Sequence, residues 1–310
     1  MRPLLLRAKY RVYFAIKPYT EAVVGALAIS VLRAIRDFDD IKTANLFGCI
    51  VRRIGPMRRE QRIGRANLRA AFPEKSRAEI NHILAGVWDN LGRICAEFAH
   101  LDQIWDYNPD SPEKGRIELS PRSKQLFAQL KDDGKPALIF ASHLGNWEMP
   151  AIAAAANGLD AAILYRRPNI ASVDRIIKEM RAAKMGTLVP ASRDAPLRLA
   201  QALQNGQHVA LLVDQYFSNG VEVTFFGRKT RANPILARLR RQIECPIHGV
   251  RIIRLPDHRF RAELSEEVEP VRDANGQIDI QGTMQAVTSV VEGWVREYPD
   301  QWLWLHRRWR

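Results

Sequence analysis

The 310 residues are 46% hydrophobic and 26% charged, enough apolar content for one large domain or two small ones and too much for a disordered chain. Eighteen Gly and seventeen Pro exclude collagen-like and low-complexity architecture, and three Cys without CxxC spacing (Cys49, Cys95, Cys245) exclude zinc ribbons and disulfide scaffolds and fit a reducing compartment. Lys and Arg number 47 against 34 acids, and the net +13 points to an acidic partner: nucleic acid, an anionic membrane surface, a phosphorylated substrate or an acidic protein.

The charge is concentrated at the start of the chain. Residues 1–70 hold twelve Arg and three Lys against five acids, and the rest is nearly balanced. Within this segment the apolar stretch Val12–Leu32 carries Lys17, Pro18 and Glu21. Its uncharged part, Ala22–Leu32, is far shorter than the ~18–20 residues of a strong spanning helix. Arg33-Ala34-Ile35-Arg36 follows where a signal peptide would carry a small-x-small cleavage site. Flanked by Arg2, Arg7, Lys9, Arg11, Arg33 and Arg36, the run predicts an interfacial or weakly spanning membrane anchor over residues 1–36. Each basic side chain would gain roughly 1 kcal/mol against anionic headgroups. The competing reading is an ordinary first helix buried in the domain.

Residues 37–120 read as a helical region. Its clearest helix starts at the capping box Ser76-Arg77-Ala78-Glu79, after which Ile80, Ile83, Leu84, Val87, Trp88, Leu91, Ile94 and Phe98 recur at helical spacing. Asn108–Ser120, with Pro109, Pro112 and Gly115, reads as a linker or surface loop. From residue 121 to 310 short apolar runs alternate with helical patterns. Ala137–Ala141, Ala161–Tyr165, His208–Val213, Ile247–Ile253 and Phe260–Leu264 predict strands. Met149–Asn157, Val173–Lys184 and Pro196–Asn205 predict helices, as does a last segment carrying Met284, Val287, Val291, Trp294 and Val295 before Pro299. Such alternation predicts an α/β fold: a central, mostly parallel sheet flanked by helices.

Open α/β sheets hold ligands beyond the carboxyl ends of their strands. The strand Ala137–Ala141 runs into Ser142-His143-Leu144-Gly145-Asn146-Trp147-Glu148, so His143 and Glu148 share a strand-to-helix turn. On a regular helix the two would diverge by about 140°, unlike an HExxH zinc pair. On a turn they can face each other, as a base and the carboxylate that fixes its tautomer; the bland alternative is a strand-end His and an N-terminal helix Glu. Arg166 and Arg167 follow the next strand, Arg181 lies on the next helical pattern, and Asp214-Gln215 follow the strand His208–Val213. There is no GxSxG, GxxxxGK[ST] or GxGxxG, and His82, His100, His208, His248, His258 and His306 show no ligand spacing, so neither a nucleophile elbow, a nucleotide cradle nor a metal is expected. A His–Glu dyad beside arginines suggests direct attack by a substrate hydroxyl.

The sequence resembles the lipid A biosynthesis lauroyl/myristoyl acyltransferase family of the glycerolipid acyltransferase superfamily. The resemblance rests on His143-Leu-Gly-Asn-Trp-Glu148 as the HxxxxE/D motif, Tyr165-Arg-Arg-Pro-Asn169, Asp214-Gln215, Phe225-Phe226-Gly227 and the ending Gln301-Trp-Leu-Trp-Leu-His-Arg-Arg-Trp309. Asn67-Leu68 and Ala71-Phe72-Pro73-Glu74 also fit its N-terminal pattern. It implies a cofactor-free inner-membrane enzyme, active site facing the cytoplasm. The enzyme would move a fatty acyl chain from acyl carrier protein to a hydroxyl of a Kdo-bearing lipid A precursor. Its partners would be the carrier protein, anionic lipid and that precursor, with no nucleic acid. Carried over by motif, His143 is the base, Glu148 its partner, and Arg181 and Asp214 further site residues; with them Arg166, Arg167, Gln215, Phe226 and Gly227 are the candidate substrate-binding residues. Val213, Tyr216 and Thr224 depart from the family's pattern around Asp214 and before Phe-Phe-Gly, which leaves chain length and acceptor preference open.

The assignment is chemically coherent. A substrate hydroxyl needs a positioned base, worth roughly 10²–10⁴ in rate. The leaving thiolate, of pKa near ~8.5, needs little acid assistance. The oxyanion could take donors from the helix start at Met149 or from a nearby Arg, and arginine forks fit phosphates bidentately. Two competitors are a superfamily acyltransferase acting on a glycerolipid, ornithine lipid or glycolipid, and a basic membrane- or nucleic-acid-binding module. The strands are apolar on both faces, unlike RNA-binding sheets with stacking aromatics, which argues against the module.

Overall fold

The computed structural model describes residues 17–310 except 18, 24, 28, 109, 110, 112, 113, 169, 183 and 184. Residues 1–16 of the expected anchor, Pro109 and Pro112 of the expected linker, Asn169 and Lys184 therefore lie outside the described residues. The described positions from 17 to 36 are helical. In chain order there follow α1 (Asp40–Ile54), α2 (Arg59–Ala71), α3 (Arg77–Glu97), β1 (Ile117–Leu119), α4 (Pro121–Asp132), β2 (Leu138–Ala141), α5 (Met149–Ala156), β3 (Ala161–Tyr165), α6 (Ala171–Ala182) and β4 (Thr187–Pro190). Next come α7 (Ala195–Gln204), β5 (His208–Leu212), β6 (Val221–Phe225), β7 (Arg228–Ala232), α8 (Ile235–Gln242), β8 (Ile247–Arg254), β9 (Phe260–Glu267) and α9 (Ile280–Glu297).

Local chemistry explains where the helices begin. The capping box at α3 is reciprocal: Glu79 N donates to Ser76 Oγ at 3.2 Å and Ser76 N to Glu79 Oε2 at 2.8 Å. Asp39 caps α1 by accepting from Lys42 N at 2.7 Å, and Ser120 caps α4 ahead of Pro121. Each satisfies an N–H that the first turn leaves without an intrahelical partner.

Seven strands form one sheet in the order β1-β9-β8-β2-β5-β3-β4, and every pairing except the antiparallel β8–β9 hairpin is parallel. The expected α/β class and all five expected strands are present. The sequence pattern did not anticipate β1 and β4, each too short to show a period, nor the separate β6–β7 hairpin. Alternation along β2 divides its side chains between the faces. Leu138 and Phe140 join the large core that includes α7, α8 and α9, whereas Ile139 packs with Leu130, Leu159 and Ala161 on the other side. Leu68, Phe72, Leu84 and Trp88 of the helical region lie in the same core as the sheet and the fully buried Trp302 and Trp304. Among the described residues no helix is long and apolar enough to cross a membrane.

Candidate active site

β2 and β5 are parallel neighbours with Ala141 opposite Leu212. The chain leaves both strands at the same edge, so His143 and Asp214, each two residues further on, meet. His143 Nδ1 lies 2.8 Å from Asp214 Oδ1, while the His143 backbone N–H donates to Asp214 Oδ2 at 2.9 Å. Trp302 Nε1 donates to the same Oδ2 at 2.7 Å. A carboxylate that accepts from all three assigns the proton to Nδ1 and leaves Nε2 as the basic atom. Nε2 faces the Gln215 side-chain amide at 3.3 Å.

Glu148 was the expected partner of His143, and here the structure differs. Glu148 is held instead by Arg181, with Nε to Oε2 at 3.0 Å and Nη2 to Oε1 at 2.5 Å. Strand register explains the exchange of carboxylates, since adjacent strand ends lie closer than the two ends of a six-residue turn. Burial works against a charged His143, but the charge and hydrogen bond of Asp214, and the charge of Glu148, outweigh it and raise the imidazole above its ordinary value. Burial likewise opposes ionisation of Asp214, yet His143 and the bonds it donates hold that carboxyl far below the usual carboxylate range.

The turn is braced from beneath. Gly145 has φ 56°, and a Cβ there would fall 1.9 Å from the Ile252 carbonyl oxygen, so only glycine fits. Asn146 accepts from Glu148 N at 3.1 Å and donates to Glu97 Oε2 at 2.8 Å. Arg254 grips Glu97 bidentately at 2.5 and 2.9 Å and donates from Nε to Asn90 Oδ1 at 3.0 Å. Asn90 in turn donates to the carbonyls of Gly145 and Gln301. The C-terminal tail runs alongside, with Leu303 N donating to His143 O at 3.0 Å and Leu144 bridging Trp302. Glu148 N and Met149 N are spent on Asn146, so that part of the helix start does not supply the oxyanion donors considered from sequence.

His143 opens onto a cavity of about 720 Å³. Ile139, Ala141, Ile163, Val250, Ile252 and Leu264 form its wall on the sheet, with Phe127 of α4 and Ala151 and Ala154 of α5 opposite. Glu148, Arg166, Arg181 and Gln215 gather with His143 among its lining, and the far end reaches Lys131, Asn157 and Leu159. Among the described residues no three His, Cys, Asp or Glu side chains come together to hold a metal ion. The mostly apolar lining, with His143 and its polar neighbours gathered in it, suits an apolar ligand whose reacting end meets a base.

Over residues 17–310 the chain matches the model of the bacterial lipid A biosynthesis acyltransferases. The chain belongs to that family. It is also similar to lipid A biosynthesis acyltransferase 2 of Shigella flexneri, 22% identical over 253 residues that cover 80% of this chain and 77% of the relative. Membership makes it an O-acyltransferase directed to lipid A.

In this acyltransferase the other sequence-derived candidates divide. Arg167 is exposed, near Asp194 rather than in the cavity lining. Phe226 and Gly227 are away from it too: with φ 52° and 68° they form the two-residue turn of the β6–β7 hairpin. The Phe226 ring is buried, 5.1 Å from Phe72 and 5.7 Å from Trp304 between centroids. This pair shapes the core. Asn90, Glu97 and Arg254 escaped sequence reasoning, because residues so far apart in the chain carry no local pattern. Asp214 as orienter was within reach, through its matching offset from the neighbouring strand.

Proposed function

We propose that this acyltransferase carries a fatty acyl chain from acyl carrier protein to a hydroxyl of a Kdo-bearing lipid A precursor, at the cytoplasmic face of the inner membrane. The observation that carries the reading is the His143–Asp214 pair at a largely apolar cavity of about 720 Å³. The acyl chain lies in the cavity with its thioester at His143. His143 Nε2 removes the acceptor hydroxyl's proton as its oxygen attacks the thioester carbonyl. The tetrahedral oxyanion collapses, the carbon–sulfur bond breaks, and the leaving thiolate takes the proton back from the imidazolium. Asp214 keeps the tautomer and stabilises the imidazolium, as in other oriented-histidine sites. Arg166 and the Gln215 amide, both in the cavity lining, are suited to donate to the oxyanion. Glu148, fixed by Arg181, adds negative charge that favours the protonated base. The basic N-terminal segment, residues 1–36, suits attachment to anionic lipid.

The test uses purified protein with lauroyl-, myristoyl- and palmitoyl-loaded carrier protein and a lipid A precursor. Transfer should require His143, and free carrier thiol should appear in step with product. Equal turnover by the His143→Ala protein, or transfer only to a glycerolipid acceptor, would overturn the reading.

A further inference from the structure

Of the thirteen large hydrophobic side chains exposed among the described residues, nine lie between positions 19 and 57. Some belong to the proposed anchor: Tyr19, Val23, Leu27 and Val31 recur every fourth residue. The others are not explained by an anchor over residues 1–36. On α1, and just beyond its end, Leu46, Ile50, Ile54 and Met57 are 57%, 42%, 52% and 85% exposed. Spacings of three and four place them on one helical face. That face is not a frayed end. On its other side α1 presses its buried Ala44 and Gly48 toward α3, closely enough that a Cβ on Gly92 would fall 2.4 Å from the Phe47 carbonyl oxygen. An apolar row on so firmly packed a helix is a surface awaiting a partner.

Charge identifies the partner. Lys42 and Arg53 flank the row on the helix, and Arg52, Arg58, Arg59 and Arg62 are exposed close by in the chain. An apolar row with a basic border is the pattern of a helix lying in the headgroup region of an anionic leaflet. A second copy of the chain would bring the same positive charges against this border, which disfavours self-association. The face is also tied to the cavity. Arg116 pairs with Asp40 at the start of α1 at 2.7 Å, and Arg36 pairs with Asp102 at 2.5 Å. Asp102 begins the segment whose Trp105 and Tyr107 line the cavity.

We propose that the outer row of α1 is a second membrane-docking element, distinct from residues 1–36, which seats on an anionic leaflet and so brings the segment carrying the cavity-lining Trp105 and Tyr107 toward the lipid surface. The docking stands independently of the acceptor's identity, because its test reads lipid binding rather than acyl transfer.

The experiment is flotation of the full chain with phosphatidylethanolamine–phosphatidylglycerol vesicles and with phosphatidylcholine vesicles. Glutamines replace Leu46, Ile50, Ile54 and Met57 in one variant, Tyr19, Val23, Leu27 and Val31 in a second, and all eight in a third. Because a strong N-terminal anchor can mask a second one, the decisive comparison is the third variant with the second. Loss of the α1 row should lower partitioning onto anionic vesicles by at least about tenfold there. Arg52→Glu with Arg53→Glu, which leaves the apolar row intact, should lower anionic binding alone and guards against misfolding of the glutamine variants. Carrier-protein-dependent transfer to a detergent-dispersed acceptor should persist in the α1 variant. Unchanged partitioning between the second and third variants would overturn the proposal. So would equal loss on both vesicle types in the Arg52→Glu/Arg53→Glu protein, or a dimer that the α1 substitutions dissociate without touching lipid binding.

Discussion

His143 and Asp214 are 2.8 Å apart because Ala141 and Leu212, two residues before them, are register partners on adjacent parallel strands. Asp214→Asn keeps the shape and removes the charge. It should therefore lower kcat by about 10²–10⁴ with little change in fold, and combining it with His143→Ala should add little to the single losses. Trp302→Phe, which deletes one of the donors to Asp214, should cost less. Steady-state kinetics beside thermal melting decides it. An Asp214→Asn protein as active as wild type, with Glu148→Gln inactive, would return the orienting role to Glu148.

The same pair fixes a pH dependence. The base must be neutral to act, so kcat/KM should rise with pH through the pKa of His143, which lies above its ordinary value. Removing Asp214 leaves burial unopposed by its main counter-charge. The acid limb of the Asp214→Asn profile should then move to lower pH even as its plateau falls. Glu148→Gln should move the limb the same way, but less. A limb that stays in place in both variants would show that another group governs it.

Arg181 should matter more than Arg167. The Arg181 and Glu148 side chains are only 17% and 10% exposed, and removing one strands the other's charge. Arg181→Ala should cost about 2–3 kcal/mol in transition-state stabilisation or stability. Lys at this position cannot reproduce the bidentate fork and should recover only part of the loss. Arg167→Ala, at an exposed position, should be nearly silent. Comparable losses for the two alanine variants would contradict this division.

What could be read from sequence follows from the range of the interactions involved. The capping box, the five apolar strand runs and the helical pattern Pro196–Asn205 are written within a few residues, and these were legible. The site's members were legible as strand-end residues, but their partners were not. Pairing Glu148 with His143 used proximity along the chain, whereas sheet order put β5 rather than the local turn beside β2. Phe226-Gly227 was recognisable as a motif, and only the positive φ of both residues shows that it is a turn. Glu97 and Arg254 are separated by more than half the chain, and no local period links them.

The cavity predicts a chain-length effect. Ala154 on α5 lines it opposite the sheet, where a larger side chain would occupy volume that an acyl tail needs. Ala154→Phe should leave the shortest accepted donor nearly untouched and lower kcat/KM for the longest by about 10–200-fold, the scale set by one or a few methylenes in an apolar pocket. A panel of acyl carrier proteins differing only in chain length measures it. Uniform loss across the panel would place the tail elsewhere.

The Glu97–Arg254 pair predicts a loss of rate without a loss of binding. Arg254 holds both oxygens of Glu97, Glu97 accepts from Asn146, and Asn146 accepts from the N–H of Glu148, so the pair acts on the turn through Asn146, while Arg254 also reaches it through Asn90, which donates to the Gly145 carbonyl. Neither residue lines the cavity. Glu97→Gln keeps the size of the group but weakens its grip on Arg254, and should let the turn shift by a fraction of an ångström. Misplacement on that scale costs up to about 10²-fold in rate. The expected pattern is therefore a lower kcat, a donor KM within about twofold of wild type, and an altered acid limb because His143 is no longer held at the same distance from Asp214. Stability is separated from positioning by the double variant Glu97→Leu/Arg254→Met, which replaces a largely buried ion pair by apolar groups of similar volume and should recover much of the melting temperature. It should not recover kcat, because Asn146 still lacks its acceptor. A double variant that melts like wild type and turns over like wild type would show that the pair does nothing for the chemistry beyond keeping the protein folded.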